Sequence, residues 1–340
     1  MKTLIWTVDM TSRSAGVFIY KEAKRLGYDV MVSGNRSNAK MFMQVFNQYK
    51  PNVVFSTAIH QSLLPAYKEI RAAGCKLVFW YPDMTERSRN NWWCTKFDHV
   101  ADGLVFSIAD TAQRYANLAK YVVWLPQYFD ATTCAEPTEK LPVRLSPSKP
   151  IFDLVFIGTV DGLRASWLDI LNKHYTCNFR GMTSKQPGVR GRAMAEAYAQ
   201  AKISFGVQRS LFKTKARYVV SNRIYNAIGS GSFHISPQVT DLDLCYTQNV
   251  HCVMHNDTLA DLRRLIDFYL EHAELREEIA REGQTHTLLH HSLQFRVVEY
   301  WSVLEAVCRN DPAYLASALS NLVYGYGRGI WSLDGVSKGA

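Results

Sequence analysis

No apolar run in this sequence approaches the about 20 residues needed to cross a bilayer, so no membrane span is expected. The opening, Met1-Lys2-Thr3-Leu4-Ile5-Trp6-Thr7-Val8-Asp9, turns polar too early for a signal peptide and reads as the first β-strand of a cytoplasmic protein. The 7 cysteines are odd in number, scattered, and without a CxxC pair, which argues against a disulfide framework and a structural zinc site. Reduced, mostly buried thiols are the expectation. GxSxG, Walker A and HExxH patterns are all missing, and His286, His290 and His291 read as helix-end residues. Gly229-Ser230-Gly231 lacks the third glycine of a dinucleotide fingerprint and follows a helix, so a Rossmann cofactor site is not expected.

What is present is an ordinary globular composition, 47% hydrophobic and 20% charged, spread over 340 residues. That length exceeds the about 100–200 residues usual for one domain, so two units are expected. A net charge of +9 is distributed along the chain and favours anionic partners such as nucleotide diphosphates or nucleic acid. Short apolar runs at 4–8, 29–33, 53–56, 76–81, 103–107 and 122–124 alternate with helical spacing at 16–26, 39–49, 63–73 and 110–120. This βαβ series implies a parallel sheet covered on both faces. Prolines 126, 137, 142, 147 and 150 then interrupt the pattern, and a second series starts at Asp153-Leu154-Val155-Phe156-Ile157-Gly158-Thr159. The boundaries expected are a first α/β domain over 1–130, a linker over 131–150, a second over 151–310, and a tail over 311–340 packing back on the first.

The most informative segment is Ser221-Asn222-Arg223-Ile224-Tyr225-Asn226-Ala227-Ile228-Gly229-Ser230-Gly231. Ser221 or Asn222 is placed to cap a helix, whose first N–H groups and exposed Arg223 form an anion site suited to a diphosphate. Asn226, one turn on, is placed to bond ribose hydroxyls. This arginine-aromatic-alanine-glycine pattern follows an Ala-Lys-Ile-Ser-Phe-Gly-Val strand and precedes the helices of 257–281, with Gly283, His291 and Arg296 beyond. With Phe156-Ile157-Gly158-Thr159 upstream, the ordered set resembles the CgeB-like glycosyltransferases of GT-B type across the second domain. The resemblance implies two Rossmann-like parallel-sheet domains facing across a cleft. It further implies a UDP- or GDP-sugar class donor as co-substrate, no other cofactor, and no metal. Gly158, Thr159, Gln208, Arg209, Ser221, Asn222, Arg223 and Asn226 become donor-binding candidates. Family members usually carry Glu where this chain has Asn226, which gives up a charge. The triplet Asp241-Leu242-Asp243 has metal-site spacing but lies outside the loop expected for the donor phosphates.

In the first domain, strand-end loops offer Asp83 and His60 as the general base for an acceptor hydroxyl. Asp9, Arg13, Arg89, Trp92 and Trp93 are the acceptor-binding candidates; the paired tryptophans among basic residues suit stacking on sugars or on unstacked bases. The acceptor itself is not written in the sequence. A hydroxymethylated DNA base is compatible with the basic excess, and a nucleotide-sugar epimerase or a non-catalytic binding protein on the same architecture is the other alternative.

Overall fold

The computed structural model describes residues 1–11, 14–82, 100–130, 150–160, 162–181, 189–207, 220–239, 241–322 and 330–332. Of the expected linker, 131–149 lie outside the described residues. The chain divides into two compact units, one formed by Met1–Pro126 with Gln294–Ala340 and the other by Gln127–Leu293.

Unit 1 begins with β1 (Thr3–Thr7), α1 (Ala15–Arg25), β2 (Val30–Gly34), α2 (Ala39–Tyr49), β3 (Val53–Ser56) and α3 (Leu64–Ala72). It continues through β4 (Lys76–Tyr81), β5 (Gly103–Phe106), α4 (Ala109–Arg114) and β6 (Tyr121–Trp124). Helices α1 and α3 each stop at a glycine, Gly27 (φ 84°) and Gly74 (φ 85°), in the left-handed region that lets the chain turn directly into the next strand. Strands β1, β3, β5 and β6 are buried along their whole length, as expected where helices cover both faces of a parallel sheet.

Unit 2 runs β7 (Phe152–Ile157), α5 (Gly162–Leu171), β8 (Cys177–Arg180), α6 (Gly191–Ala199), β9 (Ala201–Phe205) and α7 (Asn222–Gly229). Then come β10 (His234–Pro237), β11 (Val253–His255), α8 (Leu259–Glu271) and α9 (Ala273–His290). Its core gathers Leu154, Phe156, Ile203, Phe205 and Ile235 from the sheet with Trp167, Leu168, Leu262 and Ile266 from the helices. Both units are therefore parallel-sheet α/β domains.

The chain's last elements are α10 (Leu293–Arg309), α11 (Pro312–Leu322) and β12 (Ile330–Ser332). From Gln294 onward they are counted with unit 1, so the second compact unit stops at 293 where the sequence reading ran it to 310. Packing explains the assignment: Trp301 stacks on Tyr28 at 4.6 Å, and Tyr300 lies 5.3 Å from Phe55 and 5.5 Å from Trp80. Strand β12 pairs antiparallel with β6.

The strand orders are β12-β6-β5-β4-β3-β1-β2 and β11-β10-β9-β7-β8. In each the chain first steps outward and then returns past its first strand, so the winding direction reverses between β1 and β3 and between β7 and β9. Ligands of open α/β sheets collect outside the carboxyl ends of the strands at such a reversal.

Within unit 2, Phe129 and Leu293 are tied together, with the Phe129 amide donating to the His291 carbonyl and the Leu293 amide to the Phe129 carbonyl, both at 2.8 Å. The Phe129 ring lies flush on Gly229 at the end of α7, where an added Cβ would stand 2.4 Å from the ring. Gly229→Ala is expected to lower stability by about 1–3 kcal/mol through overpacking. Urea denaturation checks this; an unchanged midpoint would show that Phe129 yields freely.

Candidate functional site

The carboxyl ends of β7 and β9 bring together several polar groups of unit 2. Arg223, the second residue of α7, directs Nε to the Ile157 carbonyl at 2.7 Å, and its guanidinium lies 4.7 Å from the Phe156 ring centroid. Glycine at 158 is required for this approach, because a Cβ there would stand 2.5 Å from an Arg223 terminal nitrogen. The expectation of an exposed Arg223 is corrected: the residue is half-buried, because its stem crosses the sheet edge to reach β7. Burial pulls its pKa down from the ordinary arginine value, yet guanidinium stays charged. Among the described residues no carboxylate pairs with it, and only its Nε has a protein acceptor.

Arg164 of α5 is buried, donating from Nε to the Val207 carbonyl at 2.7 Å and from Nη1 to the Thr159 carbonyl at 3.1 Å. It thus joins the ends of the two strands that flank the reversal. Gly158 and Thr159 lie where the sequence placed them, at the end of β7. Ser221 occupies the N-cap position of α7, but its hydroxyl makes no capping bond, contrary to the expected cap; Asn222 is the first helical residue and exposed. The N–H groups of the first turn consequently have no side-chain acceptor from Ser221. Asn226 is half-buried one turn further on. Gln208 and Arg209 lie outside the described residues.

Residues at this edge that sequence reasoning missed are Arg164, Gly206, His234 and His255. The His255 Nε2–H donates to the Gly206 carbonyl at 3.1 Å, while its Nδ1 accepts from the Asp257 amide at 3.1 Å. Burial holds His255 below its ordinary value and pushes His234 down to about 3, with nearby Arg223 and His255 adding to the effect on His234. No local signal marks them, since Gly206, His234 and His255 are lone residues at the ends of apolar strands and Arg164 is a lone basic residue within a helix.

In unit 1 the corresponding reversal holds Asp9 beyond β1 and His60 beyond β3. Asp9 accepts from the Thr11 hydroxyl at 2.6 Å and the Thr11 amide at 3.0 Å, and these bonds hold its carboxyl below the usual range. It is a fixed anion, better suited to accept hydrogen bonds from hydroxyls than to take a proton. Ser62 donates its hydroxyl proton to the Ser37 carbonyl at 2.6 Å, while His60 Nδ1 accepts from the Ser62 amide at 3.3 Å and lies 2.9 Å from Ser62 Oγ. Thr7 Oγ1 meets Ser14 Oγ and accepts from Thr57 Oγ1 at 3.3 Å beside them. Arg13, Asp83, Arg89, Trp92 and Trp93 lie outside the described residues. Among the described residues no helix is long and apolar enough to cross a membrane.

The depressed His234 value has a consequence for stability. Folded His234 stays neutral down to about pH 3, whereas the unfolded residue takes up a proton below about 6.5. Its contribution is therefore complete above pH 6.5 and is lost as the pH falls through that window, by about 2 kcal/mol at pH 5. Denaturation at pH 7.5 and pH 5 should show a smaller acid loss for His234→Phe than for wild type; equal losses would contradict the assignment.

Residues 149–302 match the model of the glycosyl transferase-like family. No curated protein matches the chain by sequence. Among solved structures, a glycosyltransferase from Rickettsia africae superposes with a TM-score of 0.65 at 12% identity, covering 91% of this chain and 99% of its own. Sucrose-phosphate synthase from Thermosynechococcus elongatus gives 0.68 at 7% identity, over 92% and 100% of the two chains. Anabaena HepE, solved in complex with UDP and glucose, gives 0.66 at 11% identity, over 90% and 100%. The chain is thus similar to the glycosyl transferase-like family over residues 149–302, and its fold is that of the GT-B glycosyltransferases.

Proposed function

We propose that this protein transfers a sugar from a nucleotide-sugar donor to an acceptor hydroxyl, in the manner of the CgeB-like glycosyltransferases. The observation that carries the reading is Arg223, a half-buried cation at the sheet's winding reversal with no carboxylate partner among the described residues. Burying a charge unpaired is costly, so an anion completes such a site. The open first turn of α7 adds backbone N–H donors and the positive end of its dipole. A diphosphate suits this combination. The match of residues 149–302 to a glycosyl transferase-like model, and a neighbour of the same fold solved with UDP and glucose, support a nucleotide-sugar as its source.

In the reaction, the bond from the anomeric carbon to the diphosphate breaks and a bond to the acceptor oxygen forms. Negative charge grows on the leaving diphosphate, and Arg223 with the α7 amides stabilises it, the electrostatic role a metal ion fills elsewhere. Arg164 acts indirectly by fixing the Thr159 and Val207 carbonyls. Asn226 faces the ribose in this reading. His60 and Asp83 are the bases assigned to the acceptor's proton, and Asp9 an acceptor-binding residue. The donor sugar and the acceptor are left to the experiment.

Arg223→Met keeps a stem over Phe156 and removes the charge. Loss of a charge-assisted hydrogen bond is worth about 1.5–3 kcal/mol, so UDP or GDP affinity is expected to fall roughly ten- to a hundredfold. Calorimetric titration of both nucleotides reads this out. Equal affinity in the variant, or a wild-type protein that binds neither nucleotide, would reject the reading.

A further inference from the structure

Charge is divided unevenly between the two units. Met1–Pro126 with Gln294–Ala340 carry 20 Lys and Arg against 13 Asp and Glu, a surplus of 7, whereas Gln127–Leu293 carry 19 against 17, a surplus of 2. The basic excess of the chain therefore belongs mainly to the unit that the transferase reading assigns to the acceptor, while the diphosphate site lies in the other. Within unit 1 the imbalance is local. No Asp or Glu occurs between Asp29 and Glu69, a stretch that runs from β2 through α2 and β3 into α3 and carries Arg36, Lys40, Lys50 and Lys68.

Two of these cations stand beyond the carboxyl ends of strands, where ligands of open α/β sheets bind. Strands β3, β1 and β2 are neighbours in that order, and His60, Asp9 and Arg36 respectively follow their carboxyl ends. Lys40 comes four residues after Arg36, at the second position of α2. Both residues are exposed, and neither makes an ion pair or a hydrogen bond among the described residues. The backbone that carries them is fixed: Asn35 Oδ1 accepts from the Ser37 amide at 3.2 Å, and Asn38 Oδ1 from the Met41 amide at 2.9 Å. The Ser37 carbonyl accepts from the Ser62 hydroxyl at 2.6 Å, which ties this loop to the one that holds His60. Asp9, the acid beyond these three strands, is engaged by the Thr11 hydroxyl and amide and pairs with neither cation. An arginine fork and a lysine point charge on one fixed loop suit an anion with several acceptor oxygens; a phosphate offers three and close to two charges.

We propose that the acceptor carries a phosphate group and that Arg36 and Lys40 bind it, so that unit 1 selects a phosphorylated molecule as the recipient of the sugar. This rests on the transferase reading above for the acceptor role, and on the loop after β2 for the site. The phosphate belongs either to a small phosphorylated compound with hydroxyl groups or to the backbone of a nucleic acid. Arg36 and Lys40 position the acceptor and take no part in proton transfer.

The probes are inorganic phosphate, glucose 6-phosphate and a single-stranded DNA dodecamer, titrated into protein saturated with UDP so that the donor site is filled. Wild type, Arg36→Gln, Lys40→Gln and Lys24→Gln are compared; Lys24 is an exposed cation in the last turn of α1 and controls for the general charge of the unit. Arg36→Gln and Lys40→Gln should each weaken phosphate binding roughly three- to tenfold, with Lys24→Gln unchanged and UDP affinity equal in all four proteins. In the wild-type protein the nitrogen-15 resonance of Arg36 Nε should move as phosphate is added. Glucose 6-phosphate binding more tightly than phosphate assigns the small-molecule source. DNA binding more tightly than both, with log affinity falling against log salt by about 0.7 for each phosphate contacted, assigns the nucleic acid. An unmoved Arg36 resonance, unaltered phosphate binding by Arg36→Gln and Lys40→Gln, or an equal loss in Lys24→Gln overturns the phosphate site and leaves the donor reading standing. A wild-type protein that binds neither UDP nor GDP overturns the donor-site reading, and the acceptor role proposed here with it.

Discussion

A guanidinium held by its Nε to the last carbonyl of β7 is the interaction on which the polar edge of the second unit depends. It imposes a glycine at 158, since any Cβ would collide with Arg223. It imposes an aromatic neighbour as well, since the cation lies over Phe156. Arg223 makes this reach from the first turn of α7. With Nε committed to the Ile157 carbonyl, the terminal nitrogens keep the remaining hydrogen-bonding capacity of a planar fork.

Polarity along this edge is graded by chemistry. Around β7 and α7 stand hydrogen-bond donors: Arg223 and the first N–H groups of the helix. Toward β10 stands His234, its imidazole held toward the neutral form by burial beside a cation. The winding reversal between β7 and β9 is the geometric reason these groups converge, and Arg164 stiffens that point by bonding to carbonyls beyond both strands.

The strands were the most legible part of the sequence. Val53–Ser56 and Lys76–Tyr81 were read with the bounds the structure has, because fully buried parallel strands are short apolar runs closed by turn residues. Helix α10 was legible as a helix but not in its partners; that Trp301 stacks on Tyr28 is a contact across most of the chain, which periodicity does not encode. The placement of Gly158, Thr159 and Arg223 at a strand end and a helix start was legible because both are local patterns. Arg164 and His234 were not, since their roles lie in bonds to Val207 and Ser204, 43 and 30 residues away. The depth of Arg223 was misread for a related reason: a helix-start arginine reads as solvated until the strand beneath it is known.

The most direct test of the central claim is a crystal structure of the protein with UDP bound. The account predicts diphosphate oxygens within hydrogen-bond distance of the Arg223 terminal nitrogens and of the first amides of α7, with Arg223 Nε still on the Ile157 carbonyl. A diphosphate bound away from the carboxyl end of β7, with Arg223 making no contact to it, would contradict the account.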